Sequence, residues 1–186
     1  MPTSSELEDW KAEMDANDLE LGPSLLAHEE INAPASRAWQ VISEPGNLKD
    51  CHPFCANTEV EKWPGLGSRD SITYYSGIHY HRNFVNWLEG TGYDIELGDS
   101  PNQTARVLWR IDPKSEDMCQ ISIEAFPFVR KSLDQEKKKK YLDRLFGDVL
   151  QHYLECVCKG ICFFSETNTP VTKDQFGKNP LYSDST

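Results

Sequence analysis

From about Leu133 to Glu166, apolar residues recur at three- and four-residue intervals: Leu142, Leu145, Phe146, Val149, Leu150, Tyr153, Val157, Ile161 and Phe164. That is the period of a helix with one broad apolar face. The stretch holds no Pro, and its glycines are Gly147 and Gly160, so the pattern predicts one long helix. At 1.5 Å per residue, roughly thirty residues would span about 45 Å, which demands a large apolar partner surface.

Upstream the period shortens to two. Leu25 to Ala33 reads as a first strand, with Leu25, Ala27 and Ile31 opposed to His28 and Glu30. Helical spacing returns over Ala35 to Ser43 and briefly over Asn47 to Cys51, each bounded by Pro or Gly. From Thr58 onward strands and turns alternate: Thr58 to Trp63, Asp70 to Ser76, His79 to Leu88, Tyr93 to Leu97, Gln103 to Ile111 and Met118 to Phe126. Connections this short allow hairpins and leave no room for crossovers, so the sheet should be antiparallel. The expected order is strand, two short helices, six strands and a long helix, an α+β domain over residues 24–166. Residues 1–23 form an acidic segment in which Leu7, Trp10 and Met14 share one helical face and Ser5 and Glu8 are spaced for a capping box. Residues 167–186 are polar, lack a core pattern and are expected to be an extended or mobile tail.

The length of 186 residues suits one domain with tails. Thirty acidic against nineteen basic side chains give a net charge of -11, which argues against nucleic acid or an anionic membrane as partner. The basic run Lys137 to Lys140 reads as a solvated helix flank. No apolar run approaches a membrane span and no secretory layout opens the chain, so a soluble, cytoplasmic protein is expected. Six irregularly placed cysteines fit reduced thiols better than a disulfide framework. Cys156 and Cys158 would point about 200° apart on a helix, which rules out a metal site shared with Cys162.

Several local signatures, in this order, resemble the helix-grip superfamily of START lipid-transfer domains, Bet v 1-like proteins and polyketide cyclase/dehydrase-like proteins. Ile31-Asn-Ala-Pro-Ala-Ser-Arg-Ala-Trp39 is similar to the family's strand-to-helix step, and Asn47-Leu-Lys-Asp-Cys-His-Pro53 to its second short helix. Gly67 through Gly77 is similar to the family's third strand, and Val85-Asn-Trp-Leu-Glu-Gly-Thr-Gly-Tyr93 to its central hairpin. The resemblance covers residues 25–165. It implies a curved antiparallel sheet of about seven strands wrapped around the long C-terminal helix, with a cavity between them.

Strict alternation puts His79, His81, Asn83, Val85 and Trp87 on one face of their strand. Matching the hairpin to the family pattern turns Val85 and Trp87 inward, which carries His81 and Asn83 with them. The same matching turns Ile72, Tyr74, Tyr93, Ile95 and Leu97 inward. Trp109 belongs to the apolar set of the next strand, with Arg106 and Arg110 facing solvent. On the last strand two facings compete: apolar parity turns Cys119, Ile121 and Ile123 inward, whereas the resemblance favours Glu124. With Glu124 inward, His81, Asn83 and Glu124 would be polar groups in a cavity lined by Tyr74, Trp87, Trp109, Phe146, Val149 and Tyr153. A neutral His beside a carboxylate can orient a ligand or move a proton.

Other constellations are weaker. His79 and His81 could ligate a metal, yet no further ligands complete a set, and no metal is expected. Cys51-His-Pro-Phe-Cys55 lacks a second paired half and reads as loop and core near the pocket mouth, and nothing marks a thiol as activated beside His52 or His81. No glycine-rich phosphate loop is present, so no cofactor is expected. The leading expectation is a module that encloses a hydrophobic small molecule, such as a lipid, polyketide or aromatic compound. The alternative is a cyclase/dehydrase-type enzyme in which His81 and Glu124 move a proton while Asn83 or Tyr74 holds an oxygen. A third is a protein-interaction or chaperone-activator module whose contacts are Trp10, Phe176 and Tyr182 in the terminal segments, which could equally fold back as lids.

Overall fold

The computed structural model describes residues 4–99, 102–145 and 147–185. The chain runs through α1 (Ser4–Ala16), β1 (Leu19–Leu21), β2 (Leu25–Ile31), α2 (Ala35–Ser43), α3 (Leu48–Cys51), β3 (Cys55–Lys62), β4 (Arg69–Tyr74), β5 (His79–Leu88), β6 (Gly92–Leu97), β7 (Ala105–Pro113), β8 (Cys119–Arg130), α4 (Gln135–Leu145) and α5 (Asp148–Thr167). The strands form one eight-stranded antiparallel sheet in the order β1-β8-β7-β6-β5-β4-β3. β8 is long enough to pair twice: Cys119 to Ala125 lie against β2, and Phe128 to Arg130 against β1. β1 follows α1 within the segment for which only a short helix was expected.

The sheet curls around α5. Leu154, Val157 and Ile161 of α5 and Ile121 and Ile123 of β8 are all buried in one core, together with the inward faces of β4 to β7. α5 can sit close to the short α3 because residue 160 is glycine: a Cβ there would lie 2.2 Å from the Cys51 carbonyl oxygen. The single long helix expected over 133–166 is two helices. Gly147 caps α5 with φ -103° and ψ -144°, outside helical space, and the residue without a Cβ is where the path breaks most easily.

The facing of β5 also departs from strict alternation. β5 pairs with β6 through Phe84 to Ile95 and then Asn86 to Asp94, leaving Val85 as the extra residue of a β-bulge. Parity reverses across it. Tyr80, Arg82 and Phe84 turn toward the core before the bulge and Trp87 after it, while Val85 is exposed.

α1 lies on the outer face of the sheet. Its Trp10 packs edge-on against Phe126 at 5.7 Å, the Arg106 guanidinium sits 4.6 Å from the Trp10 ring, and Met14 packs with Leu19 and Phe128. Arg106, expected in solvent, is buried beneath α1 and bonded to Glu96.

Residues 168–185 lack helix and strand except for turns, yet they are not a free appendage. Val171 N–H donates to Asp50 O (2.9 Å), Asp174 N–H to Pro53 O (3.0 Å), and Tyr182 O accepts from Ser76 N–H (3.1 Å). The Asn179 side chain donates to Val149 O at 2.8 Å. These bonds seat Tyr182 in the core, where it is 8% exposed.

Candidate functional site

Between α5 and the inner face of the sheet lies a cavity of about 100 Å³. Its walls are mainly apolar: Leu48 of α3, Ile72, Ile95, Val107 and Trp109 of the sheet, and Leu150, Leu154 and Val157 of α5. Leu181 and Tyr182 of the C-terminal segment complete them. Of the lining residues, Tyr80, Leu97, Thr104, Tyr141 and Leu181 are half-buried, whereas Leu48, His52, Tyr74 and Arg82, which make its buried end, are buried.

The buried end is polar. Asp70 and Arg82 stand directly opposite each other on β4 and β5, and Arg82 donates through Nε to Asp70 Oδ1 at 2.7 Å and through Nη2 to Oδ2. Burial opposes the guanidinium charge, but the charge and hydrogen bonds of Asp70 outweigh it and hold the Arg82 pKa above its ordinary value. A bidentate pair of this kind is mutually satisfied, so it adds little net charge to the cavity.

Beside it runs a chain of hydrogen bonds. Phe54 N–H donates to His52 Nδ1 (3.2 Å), His52 Nε2 lies 3.0 Å from Tyr153 Oη, and Tyr153 Oη lies 2.9 Å from Tyr74 Oη. Burial, reinforced by the Arg82 charge, pulls the His52 pKa down to about 3, so the ring is neutral at ordinary pH. Since Nδ1 accepts a backbone N–H, the single ring proton resides on Nε2 and is donated to Tyr153. Burial likewise drives the Tyr74 and Tyr153 hydroxyls above their ordinary range, with the neighbouring tyrosines adding to the rise. Tyr182 covers this cluster, its ring centroid 4.4 Å from that of Tyr74 and 4.2 Å from that of Tyr153.

Of the residues expected in the cavity, Ile72, Tyr74, Ile95, Trp109 and Tyr153 line it. Tyr93 and Trp87 do not; they stack on each other at 5.7 Å in an adjoining aromatic cluster. Val149 sits under the C-terminal segment, bonded through its carbonyl to Asn179, and Phe146 lies outside the described residues. His79, His81, Asn83 and Val85 face outward, because the bulge at Val85 separates their parity from that of Trp87. His81 Nδ1 lies 2.7 Å from Asp99 Oδ2 in a surface ion cluster that includes Arg69. Asn83 accepts from Arg69 and donates to Gly98 O. On β8 apolar parity prevails: Ile123 and Ala125 line the cavity, and Glu124 lies with Leu26, His28 and Arg110 in a groove on the opposite face. β6 and β7 separate His81 from Glu124, a gap of three strand spacings or about 14 Å. The two form no proton-transfer pair.

Sequence reasoning missed Arg82 and weighed His52 only as a partner for a thiol. A signal for the first existed: Asp70 shares parity with Ile72 and Tyr74, and a carboxylate brought inward needs a cationic partner. Burial pushes Cys51 and Cys162 up to about 12 and Cys55 up to about 11. Among the described residues, no group of three or more His, Cys, Asp and Glu is placed to hold a metal ion. Among the same residues, no helix is long and apolar enough to cross a membrane.

No family model matches the chain, and no curated protein matches it in sequence. Solved structures do match in shape. A point mutant of Thalictrum flavum norcoclaurine synthase in complex with a transition state analogue superposes with a TM-score of 0.60 at 15% identity, covering 78% of this chain and 96% of that one. The Zhui aromatase/cyclase of a Streptomyces species gives 0.59 at 10% identity, covering 77% and 93%. A protein from Thermus thermophilus gives 0.58 at 16% identity, covering 77% and 97%. With its sheet curled around α5 and these structures superposing over most of their length, the chain has the helix-grip fold of Bet v 1-like proteins and polyketide cyclases.

Proposed function

We propose that the chain is a cytoplasmic carrier or receptor that encloses a hydrophobic small molecule between α5 and the sheet, with the C-terminal segment as closure. The observation that carries this reading is the cavity, apolar along most of its wall and polar at its buried end, with Leu181 and Tyr182 as part of that wall. Its volume of about 100 Å³ is below the roughly 150 Å³ that admits benzene and far below the 300 Å³ or more typical of ligand pockets. A lipid, polyketide or larger aromatic compound therefore needs more space, which departure of Leu181 and Tyr182 from the wall would supply. A synthase and an aromatase/cyclase among the matching folds are in keeping with a small-molecule site. Catalysis is less supported, because none of the described lining residues titrates near neutrality: His52 is held neutral down to about pH 3 and the tyrosines are pushed upward. As for a protein partner, Trp10 and Tyr182 are already engaged within the chain.

Native mass spectrometry of the purified protein, before and after denaturation, tests the reading. A co-purifying apolar compound, retained by the full chain and lost from a chain ending at Thr167, is the expected result. A purified protein that neither carries nor takes up any apolar compound, with or without the segment, refutes it.

A further inference from the structure

The hydrogen-bond chain at the buried end holds more hydrogens than acceptors. His52 Nε2–H, Tyr153 Oη–H and Tyr74 Oη–H are three donors, and only two contacts join the groups, at 3.0 and 2.9 Å. His52 Nδ1 is already taken by Phe54 N–H. Either tyrosine can be the donor in the contact between them, but in both orientations one hydroxyl hydrogen is left over. No other described residue accepts it, although all three groups line the cavity. A buried donor without an acceptor is costly, and a suitable ligand atom removes that cost.

We propose that the left-over hydroxyl hydrogen of the Tyr74–Tyr153 pair is the cavity's recognition element, and that the ligand is an aromatic compound bearing a neutral carbonyl oxygen. This rests on the binding reading above and names the class of ligand. A carboxylate would also accept, but the one cation at this end, Arg82, is already neutralised by Asp70, and an unpaired anion would be stranded in an apolar space. The ring requirement follows from Tyr182, whose ring lies against both Tyr74 and Tyr153. A ligand ring that replaces it is set beside the donor.

Acetophenone and α-methylstyrene test this, because they share a shape and differ in C=O against C=CH2. Their dissociation constants are measured by ligand-detected NMR on the wild type and on the triple variant His52→Leu/Tyr74→Phe/Tyr153→Phe, which removes all three donors and keeps both tyrosine rings. Comparing the ratio of the two constants between proteins cancels the difference in their hydration. The expected result is that the triple variant shifts the ratio several-fold, up to about tenfold, against the ketone. In parallel, the infrared carbonyl band of bound carbon-13 acetophenone should lie lower in the wild type than in cyclohexane. An unchanged ratio, or a wild-type band at its cyclohexane position, overturns the proposal, and the second measurement requires no variant to fold. Binding of both compounds with an unchanged ratio overturns this inference and leaves the binding reading standing. Failure of both compounds to bind either protein overturns this inference; the binding reading falls with it only when native mass spectrometry also finds no apolar compound carried or taken up.

Discussion

Tyr182→Ala separates closure from core packing. The ring is 8% exposed, and a buried aromatic removes about 150–250 Å² from water, which at about 25 cal/mol per Å² gives an upper bound of about 4–6 kcal/mol. The loss is smaller if the segment can undock instead of leaving a hole, since it is then capped by the docking free energy. We expect about 2–3 kcal/mol by urea denaturation. In the variant the Ser76 amide, which donates to Tyr182 O at 3.1 Å, should lose protection from hydrogen exchange while the β6–β7 amides keep theirs. A docking free energy of about 2 kcal/mol would hold the open fraction near one in thirty, so the variant should take up acetophenone up to about thirtyfold more tightly than the wild type. Stability and affinity thus move in opposite directions. A variant within 0.5 kcal/mol of the wild type (about the scale of a neutral surface change) with unaltered Ser76 exchange would refute the closure. So would one that loses stability and affinity together, which would make Tyr182 a ligand contact.

Asp70→Ala strands the Arg82 charge in a buried site and should cost about 3–5 kcal/mol in a denaturant titration. Gly160→Ala gains about 1 kcal/mol of helix propensity, but its Cβ would meet the Cys51 carbonyl oxygen at 2.2 Å; a net loss of stability and a perturbed His52 ring signal in NMR are expected. His52 is neutral when folded, with its pKa lowered from 6.5 to about 3, so below pH 6.5 the unfolded chain binds the extra proton. Its share of stability is complete above pH 6.5 and is lost as pH falls toward 3, at up to about 1.4 kcal/mol per pH unit; relative to the wild type, His52→Gln should flatten denaturation midpoints across that window. His81→Ala alters an exposed ion cluster and should change stability by less than about 1 kcal/mol and leave acetophenone affinity unaltered.

The fold was legible because its signals are repeated. Each strand announces its parity several times over, and the α5 face shows its period at Leu150, Leu154, Val157 and Ile161. The site depended on single residues. Val85 looks like any strand residue, and nothing local reveals that it is a bulge; without that knowledge His81 and Asn83 inherit the facing of Trp87. Gly147 is one glycine in an otherwise helical pattern, a cost a helix can absorb, so its break was hidden. On β8 the apolar alternation of Ile121, Ile123 and Ala125 was the better guide than the resemblance, since three residues of one parity outweigh one. Tyr182 stands in a polar stretch, where a lone aromatic has no period to betray it, and its place depends on backbone bonds to Asp50, Pro53 and Ser76 that no side-chain pattern encodes.

The bulge at Val85 also explains how one strand serves two environments. Without the extra residue, a strand that turned Trp87 inward would expose Arg82, and Asp70 opposite it on β4 would be left without its cation. With it, Arg82 and Phe84 face the core on one side of the irregularity and Trp87 on the other, where it meets Tyr93 and Trp63. The aromatic cluster fills the space beside the cavity, and the ion pair meets the polar demand at its buried end. Among the described residues, what remains unmatched there is one hydroxyl hydrogen of the Tyr74–Tyr153 pair. On the proposed reading, an apolar cavity with one spare donor would distinguish ligands by one acceptor atom, and the closing ring of Tyr182 would make the ligand compete for an aromatic seat.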